Sequence, residues 1–220
     1  MRTAVIVVAG GRSTRFGSDK LAAPLGSGET VLSRTLSGID QLDDDTHVGL
    51  VRPVVVVGPD PSRDHAVLDT GPTPSTRDHA VLHAASPEET GAERVRFALE
   101  DPPGSGPAAA VLAGARACVA DVLVVVAGDA PYAAGAVPRL VTALAENAAA
   151  EAAVAVDPSG RRQYLLLAVR TDAWDLRADL AGRPARQLLD GLRVIEVPVS
   201  EREALDVDEP ADLDRIRSLS

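Results

Sequence analysis

After a short apolar run the chain reads Ala9-Gly10-Gly11-Arg12-Ser13-Thr14-Arg15-Phe16-Gly17-Ser18-Asp19-Lys20. Adjacent glycines let a backbone turn sharply and bring its amides close to a ligand, where they can receive phosphate oxygens. Arg12, Arg15 and Lys20 stand against Asp19 alone, so the loop is locally basic. Glycines at 10, 11 and 17 fit neither the G-x-G-x-x-G dinucleotide fingerprint nor the G-x-x-x-x-G-K-[ST] P-loop, which leaves a longer glycine-basic loop. Lys20 is the single lysine, the other 21 basic residues being arginine. Lysine offers phosphate a compact point charge that the planar guanidinium does not reproduce. Lys20 is therefore read as functional, against the plainer alternative of a solvated surface lysine.

Acidic residues that could complete such a site follow later. The Val122 to Ala127 run ends in Gly128-Asp129-Ala130-Pro131, which sets Asp129 at a strand's carboxyl end. Mg²⁺ takes one or two carboxylates together with substrate phosphates, so Asp129 is a candidate ligand; the alternative is a turn-forming Asp ahead of Pro. In Asp206-Val207-Asp208-Glu209-Pro210, Asp208 is a second metal candidate or an N-cap for the final helix, and Asp206 a weaker metal contact. Asp101, in Glu100-Asp101-Pro102-Pro103-Gly104-Ser105-Gly106-Pro107, precedes a glycine-rich turn whose helix N-terminus suits an anion or serves only structure.

The elements that must position these groups follow from hydrophobic patterning. Val-rich runs at Ala4 to Ala9, Val54 to Val57, Val122 to Ala127 and Leu165 to Val169 predict strands buried on both faces. Helical spacing covers Val31 to Leu42, Ala108 to Ala120, Val137 to Ala149, Pro184 to Leu192 and Pro210 to Leu219. Alternation of this kind predicts an α/β fold of βαβ units, with a mostly parallel sheet and helices on both faces. Ligands of such sheets bind at the carboxyl ends of the strands.

The 220 residues are expected to form one domain, with a surface insertion at about 59–93 that is rich in Pro, Asp, Thr and Ser. Within it RDHAVL occurs twice, from Arg63 and from Arg77, too little for a repeat architecture. His65 and His79 are copies within that duplication; His79 and His83, four apart, read as solvated loop residues before metal ligands.

Hydrophobic residues are 45% of the chain and aromatics 2%, so Val, Leu, Ile and Ala must build the interior. A formal charge of −10 argues against a general nucleic-acid or anionic-membrane surface. Cys118, the one cysteine, permits no internal disulfide and reads as a small buried thiol. The first apolar run is too short for a signal-peptide core, and no stretch reaches the length of a membrane span, which predicts a cytoplasmic protein.

Taken together, AGGRSTRFGSDK, EDPPGSGPAAAVLAG, GDAP and DVDEPADL resemble, in order and spacing, the motifs of the molybdenum cofactor guanylyltransferases, the MobA-like NTP transferases. The resemblance spans nearly the whole chain outside the insertion. It implies a Rossmann-like nucleotidyltransferase fold in which Val8, Ala9, Gly10 and Gly11 line the guanine-nucleotide site, with Arg12 and Ser13 of the same loop as further nucleotide-binding residues. It further implies that Lys20 contacts phosphates, Asp101 helps hold the nucleoside and Asp129 binds Mg²⁺. Ala-Gly-Gly is more typical of guanylyl transfer, whereas related cytidylyltransferases more often show Ala-Ala-Gly, so Gly11 favours GTP. Three positions depart from the pattern: Ala130 replaces a larger hydrophobic residue, Phe16 stands where Met is common, and the second-strand loop runs into the insertion.

The implied reaction moves GMP from GTP to the phosphate of molybdenum-molybdopterin, with Lys20 and Arg15 steadying pyrophosphate and Asp129 acting through the metal. Arg161, Arg162 and Gln163 are candidates for the pterin-type acceptor, and transient contact with cofactor-delivery or acceptor proteins fits such a role. A cytidylyltransferase, a phospholactate guanylyltransferase, a sugar-phosphate enzyme and a silent nucleotide-binding module stay open as alternatives.

Overall fold

The computed structural model describes residues 1–10, 16, 19–25, 28–42, 49–50, 53–58 and 95–218. The expected insertion, its duplicated segment and His65, His79 and His83 lie outside the described residues, as do Gly11, Arg12, Ser13 and Arg15.

Seven strands form one sheet: β1 (Thr3–Val8), β2 (Val54–Val57), β3 (Val95–Ala98), β4 (Val122–Ala127), β5 (Ala152–Val156), β6 (Arg162–Arg170) and β7 (Val194–Pro198). Their order is β3-β2-β1-β4-β6-β5-β7. The first four pair in parallel, β1 meeting β4 in register from Thr3 opposite Val122 to Val8 opposite Ala127. β5 and β7 are also parallel, but β6 runs antiparallel to both β4 and β5. The Leu165 to Val169 run is thus a strand, although not the product of the parallel crossover that alternation predicts.

Four α-helices accompany the sheet among the described residues: α1 (Val31–Asp40), α2 (Pro107–Arg116), α3 (Val137–Glu146) and α4 (Pro210–Ser218). The period-2 alternation of strand side chains sends Val5 and Val7 to one face, with Ile39 of α1 and Leu140 and Leu144 of α3. Ala4, Ile6 and Val8 go to the other, against Ala108, Val111 and Ala115 of α2. Helix α2 sits so close to the sheet that a Cβ on Gly114 would lie 2.5 Å from Ile6 Cγ2 and 2.8 Å from Val57 Cγ2. Only a residue without a side chain permits that approach.

Three helical expectations shorten, α2 ending at Arg116 instead of Ala120. Pro184 to Leu192 condenses to a 3-10 turn, Ala185–Leu189, and α3 stops at Glu146, ahead of the extended Asn147. Strands β3, β5 and β7 were absent from the expected set. β3 carries Arg96 beside the polar segment, and the Ala-Ala-Val-Ala-Val of β5 continues the alanine-rich composition of the helix before it. No helix among the described residues is long and apolar enough to cross a membrane.

The chain leaves β1 through α1 toward β2, then returns from β3 through α2 to β4 on the other side of β1. With α1 and α2 on opposite faces, a crevice opens at the carboxyl ends of β1 and β4, the topological switch point at which such sheets bind ligands.

Candidate active site

Lys20 enters this crevice on a single 3-10 turn, Lys20–Ala22, which Asp19 caps by accepting the Leu21 amide at 3.0 Å. The one acidic residue of the loop therefore shapes the turn that presents the lysine. Lys20 Nζ lies 2.5 Å from Asp129 Oδ2 and 3.2 Å from Asp208 Oδ1. The Lys20 and Asp129 side chains are only 19% and 20% exposed, so their attraction is poorly screened, while Asp208 at 55% is largely solvated. Burial alone would lower the lysine pKa, but Asp129 and then Asp208 outweigh it and raise it. Lys20 accordingly stays an ammonium ion at neutral pH.

Asp129 is fixed from two sides. The Thr35 hydroxyl, fully buried in α1, lies 3.0 Å from the Gly128 carbonyl and 3.1 Å from that of Val31, to which it can donate in turn. Gly128 donates to the Val8 carbonyl at 2.9 Å, and a Cβ there would come within 3.1 Å of that oxygen. The turn after β4 thus lies directly on the end of β1.

The C-terminal segment arrives through its backbone, the Val207 amide donating to the Asp129 carbonyl at 3.0 Å. Val207, Leu205, Leu213 and Ile216 then bury themselves with Ala23, Leu25 and Val31, flanked by Phe16 and Tyr132. Each such aliphatic side chain contributes about 1.5–3 kcal/mol, whereas a largely exposed ion pair contributes about 0–1 kcal/mol. Apolar packing, more than its salt bridge, therefore brings Asp208 to Lys20. Phe16 is part of this packing.

Asp208 does not act as the helix cap that its place before Pro210 suggests. Asp212 accepts the amides of Asp208 at 3.0 Å and Glu209 at 2.8 Å, which frees the Asp208 carboxylate for Lys20. The Asp206 carboxyl is held above its ordinary range by burial and by the charges of Asp208 and Asp129, with Lys20 opposing.

The other expected residues divide. Val8 and Ala9 are buried and Gly10 is exposed at the end of β1. Asp101 is also exposed, while its neighbour Glu100, absent from the expected set, is buried at 8%. Gln163 Nε2 donates to Asp157 at 2.9 Å, Arg161 Nε lies 3.3 Å from the same carboxylate, and Arg162 pairs with Glu196 at 2.8 Å. These contacts brace the turn between β5 and β6 and tie Arg162 to β7. Burial pushes the Cys118 thiol up to about 11, with Arg96 opposing, in keeping with an inert structural cysteine.

Among the described residues Lys20 faces Asp129, Asp206 and Asp208, an excess of carboxylate that suits a hard cation. No group of three or more His, Cys, Asp or Glu with metal-site geometry occurs among the described residues. Mg²⁺ needs no such cage, since phosphates and water complete its shell, and the oxygen donors of Asp129 and Asp208 fit it.

The parallel half of the sheet thus brings a lysine after its first strand and an aspartate after its fourth into contact. The family model described as the MobA-like NTP transferase domain matches residues 5–197, and the chain belongs to that family. No curated protein matches the sequence. Among solved structures, molybdopterin-guanine dinucleotide biosynthesis protein A from Archaeoglobus fulgidus is 22% identical with a TM-score of 0.62, over 100% of this chain and 98% of that one. Rv0371c from Mycobacterium tuberculosis, in complex with manganese, is 18% identical with a TM-score of 0.61, over 100% and 99%. The 4-diphosphocytidyl-2C-methyl-D-erythritol synthase of Anaerococcus prevotii is 13% identical with a TM-score of 0.59, over 99% and 97%. At these identities the likeness establishes a shared Rossmann-like fold.

Proposed function

We propose that the protein transfers GMP from GTP to the phosphate of molybdenum-molybdopterin and releases pyrophosphate. The observation that carries this reading is the contact of Lys20 with Asp129 and Asp208 at the switch point, in a chain of the MobA-like family whose loop begins Ala9-Gly10-Gly11. An acceptor phosphate oxygen attacks the α-phosphorus of GTP, a new phosphoanhydride bond forms, and the bond to the β-phosphate breaks with its electron pair leaving on pyrophosphate. Such transfer needs alignment and charge stabilisation more than covalent help.

In this reading the Gly10 and Gly11 amides receive phosphate oxygens, and Lys20 shifts from the carboxylates to the departing pyrophosphate, supported by Arg15. Asp101 assists at the nucleoside. Thr35 and Gly128 keep the Asp129 carboxylate aimed into the crevice. Asp129 and Asp208 would hold Mg²⁺, which when bound polarises the α-phosphate as a Lewis acid. The M. tuberculosis neighbour of the same fold is a complex with manganese, which supports a role for a divalent ion.

The test is pyrophosphate release by the full chain with Mg²⁺, the molybdenum-pterin acceptor and GTP, CTP or ATP, followed by mass spectrometry of the product. GTP-selective release with a product heavier by one guanylyl group is expected. Equal or faster turnover of CTP would move the reading to cytidylyl transfer, and release only with another phosphorylated acceptor would move it to a different branch of the family.

A further inference from the structure

Glu100 is buried beside the crevice and has no part in the chemistry above. Its residue is 8% exposed, and among the described residues its Oε2 is the one buried side-chain nitrogen or oxygen without a hydrogen-bond partner. Buried polar atoms are nearly always paired, so an orphan calls for a partner that arrives later. Oε1 is committed, accepting the Gly104 amide at 2.9 Å in the turn before α2. The same oxygen lies 3.9 Å from where a Cβ on Gly10 would stand, so no side chain separates the carboxylate from the end of β1.

The sheet order places this group on a definite side. β2 and β3 lie to one side of β1 and β4 to the other. Glu100 follows β3, and Asp129 follows β4. A nucleotide laid across Gly10 with its phosphates at Lys20 and Asp129 therefore directs its nucleoside toward Glu100.

We infer that Glu100 is the base-specificity residue, its Oε2 accepting a hydrogen bond from the N–H edge of guanine while Oε1 stays on Gly104. The inference rests on the guanylyl reading of the same site. A carboxylate is an acceptor only, which matches the N1–H and exocyclic amine donors of guanine and leaves a base without those donors facing an unpaired buried charge. Sites of that kind discriminate strongly, because the missing donor strands the protein group. Asp101, next in sequence, is exposed and lacks that desolvation.

The experiment measures equilibrium binding of GTP, ITP, ATP and CTP to the full chain and to Glu100→Gln, with Glu146→Gln, an exposed carboxylate at the end of α3, as the control and thermal melting to confirm folding. The wild type is expected to prefer GTP over ATP by about tenfold or more; Glu100→Gln should collapse that preference while Glu146→Gln retains it. An unchanged order of affinities in Glu100→Gln overturns the inference, as does an equal loss for all four nucleotides, which would place Oε2 on the ribose. If the wild type itself favours another base, the guanylyl reading fails, and collapse or persistence of that other order still decides whether Glu100 reads the base. Should Glu100→Gln fail to fold, Glu100→Asp, which keeps the charge but withdraws it, is judged by the same order.

Discussion

The Val207 amide donates to the Asp129 carbonyl at 3.0 Å, which joins the C-terminal segment to the turn after β4. Asp206 and Asp208, on either side of that bond, are thereby held at the same crevice as Asp129. Lys20, from the opposite end of the sequence, closes the group through its contacts with Asp129 and Asp208.

Charge alone does not specify the Lys20 position. An ammonium held at 2.5 Å from Asp129 in a mostly buried setting has room that the broader guanidinium lacks. Lys20→Arg should lower turnover roughly 10- to 100-fold, and Asp129→Asn about 100- to 1,000-fold, the scale of losing one well-placed electrostatic group. Steady-state pyrophosphate release and nucleotide titration check this. Full turnover by Asp129→Asn would remove that carboxylate from the chemistry. Abolished turnover with retained GTP affinity would exclude a silent binding module.

Ile216 is fully buried in the cluster that seats the C-terminal segment. Ile216→Ala should cost about 2–5 kcal/mol by lost burial and a cavity. Because that packing positions Asp208, turnover should fall even at temperatures where the variant remains folded. Chemical denaturation paired with activity at low temperature tests both parts, and a destabilised variant with unaltered turnover would separate the helix from the site.

Asp157 accepts the Ser159 hydroxyl at 2.6 Å and the amides of Arg161 and Ser159. The Ser159 hydroxyl above all, then the Arg161 amide, lower its pKa to about 2. A folded pKa below the unfolded value of about 3.9 means stabilisation that is complete above that value and lost as pH falls toward 2. Asp157→Asn should therefore melt below the wild type by a constant margin from about pH 7 to 5, narrowing below about pH 4. Melting curves across that range check the sign; a margin independent of pH would show that the carboxylate charge contributes nothing.

The legible parts of the molecule were those with local causes. Continuous Val runs must be buried on both faces, which marks β1, β2 and β4, and Gly-Asp-Ala-Pro after β4 places Asp129 at a strand end. Lys20 was conspicuous by composition. β5 and β7 were not legible, because Ala-rich and Pro-ended segments become strands only when neighbours offer ladder partners. Glu100 was overshadowed by Asp101, since one residue's shift along an irregular turn decides which carboxylate faces inward.

By itself the sequence determined the residue types, the parallel half of the sheet and the two ends of the site, because glycine, lysine and strand-terminal aspartate act through local geometry. Tertiary structure decided that β6 runs antiparallel, that Asp212 and not Asp208 serves the last helix, and that Glu100 is buried while Asp101 is exposed. Those outcomes depend on burial and hydrogen-bond partners distant in the chain, which exist only once the apolar faces have packed.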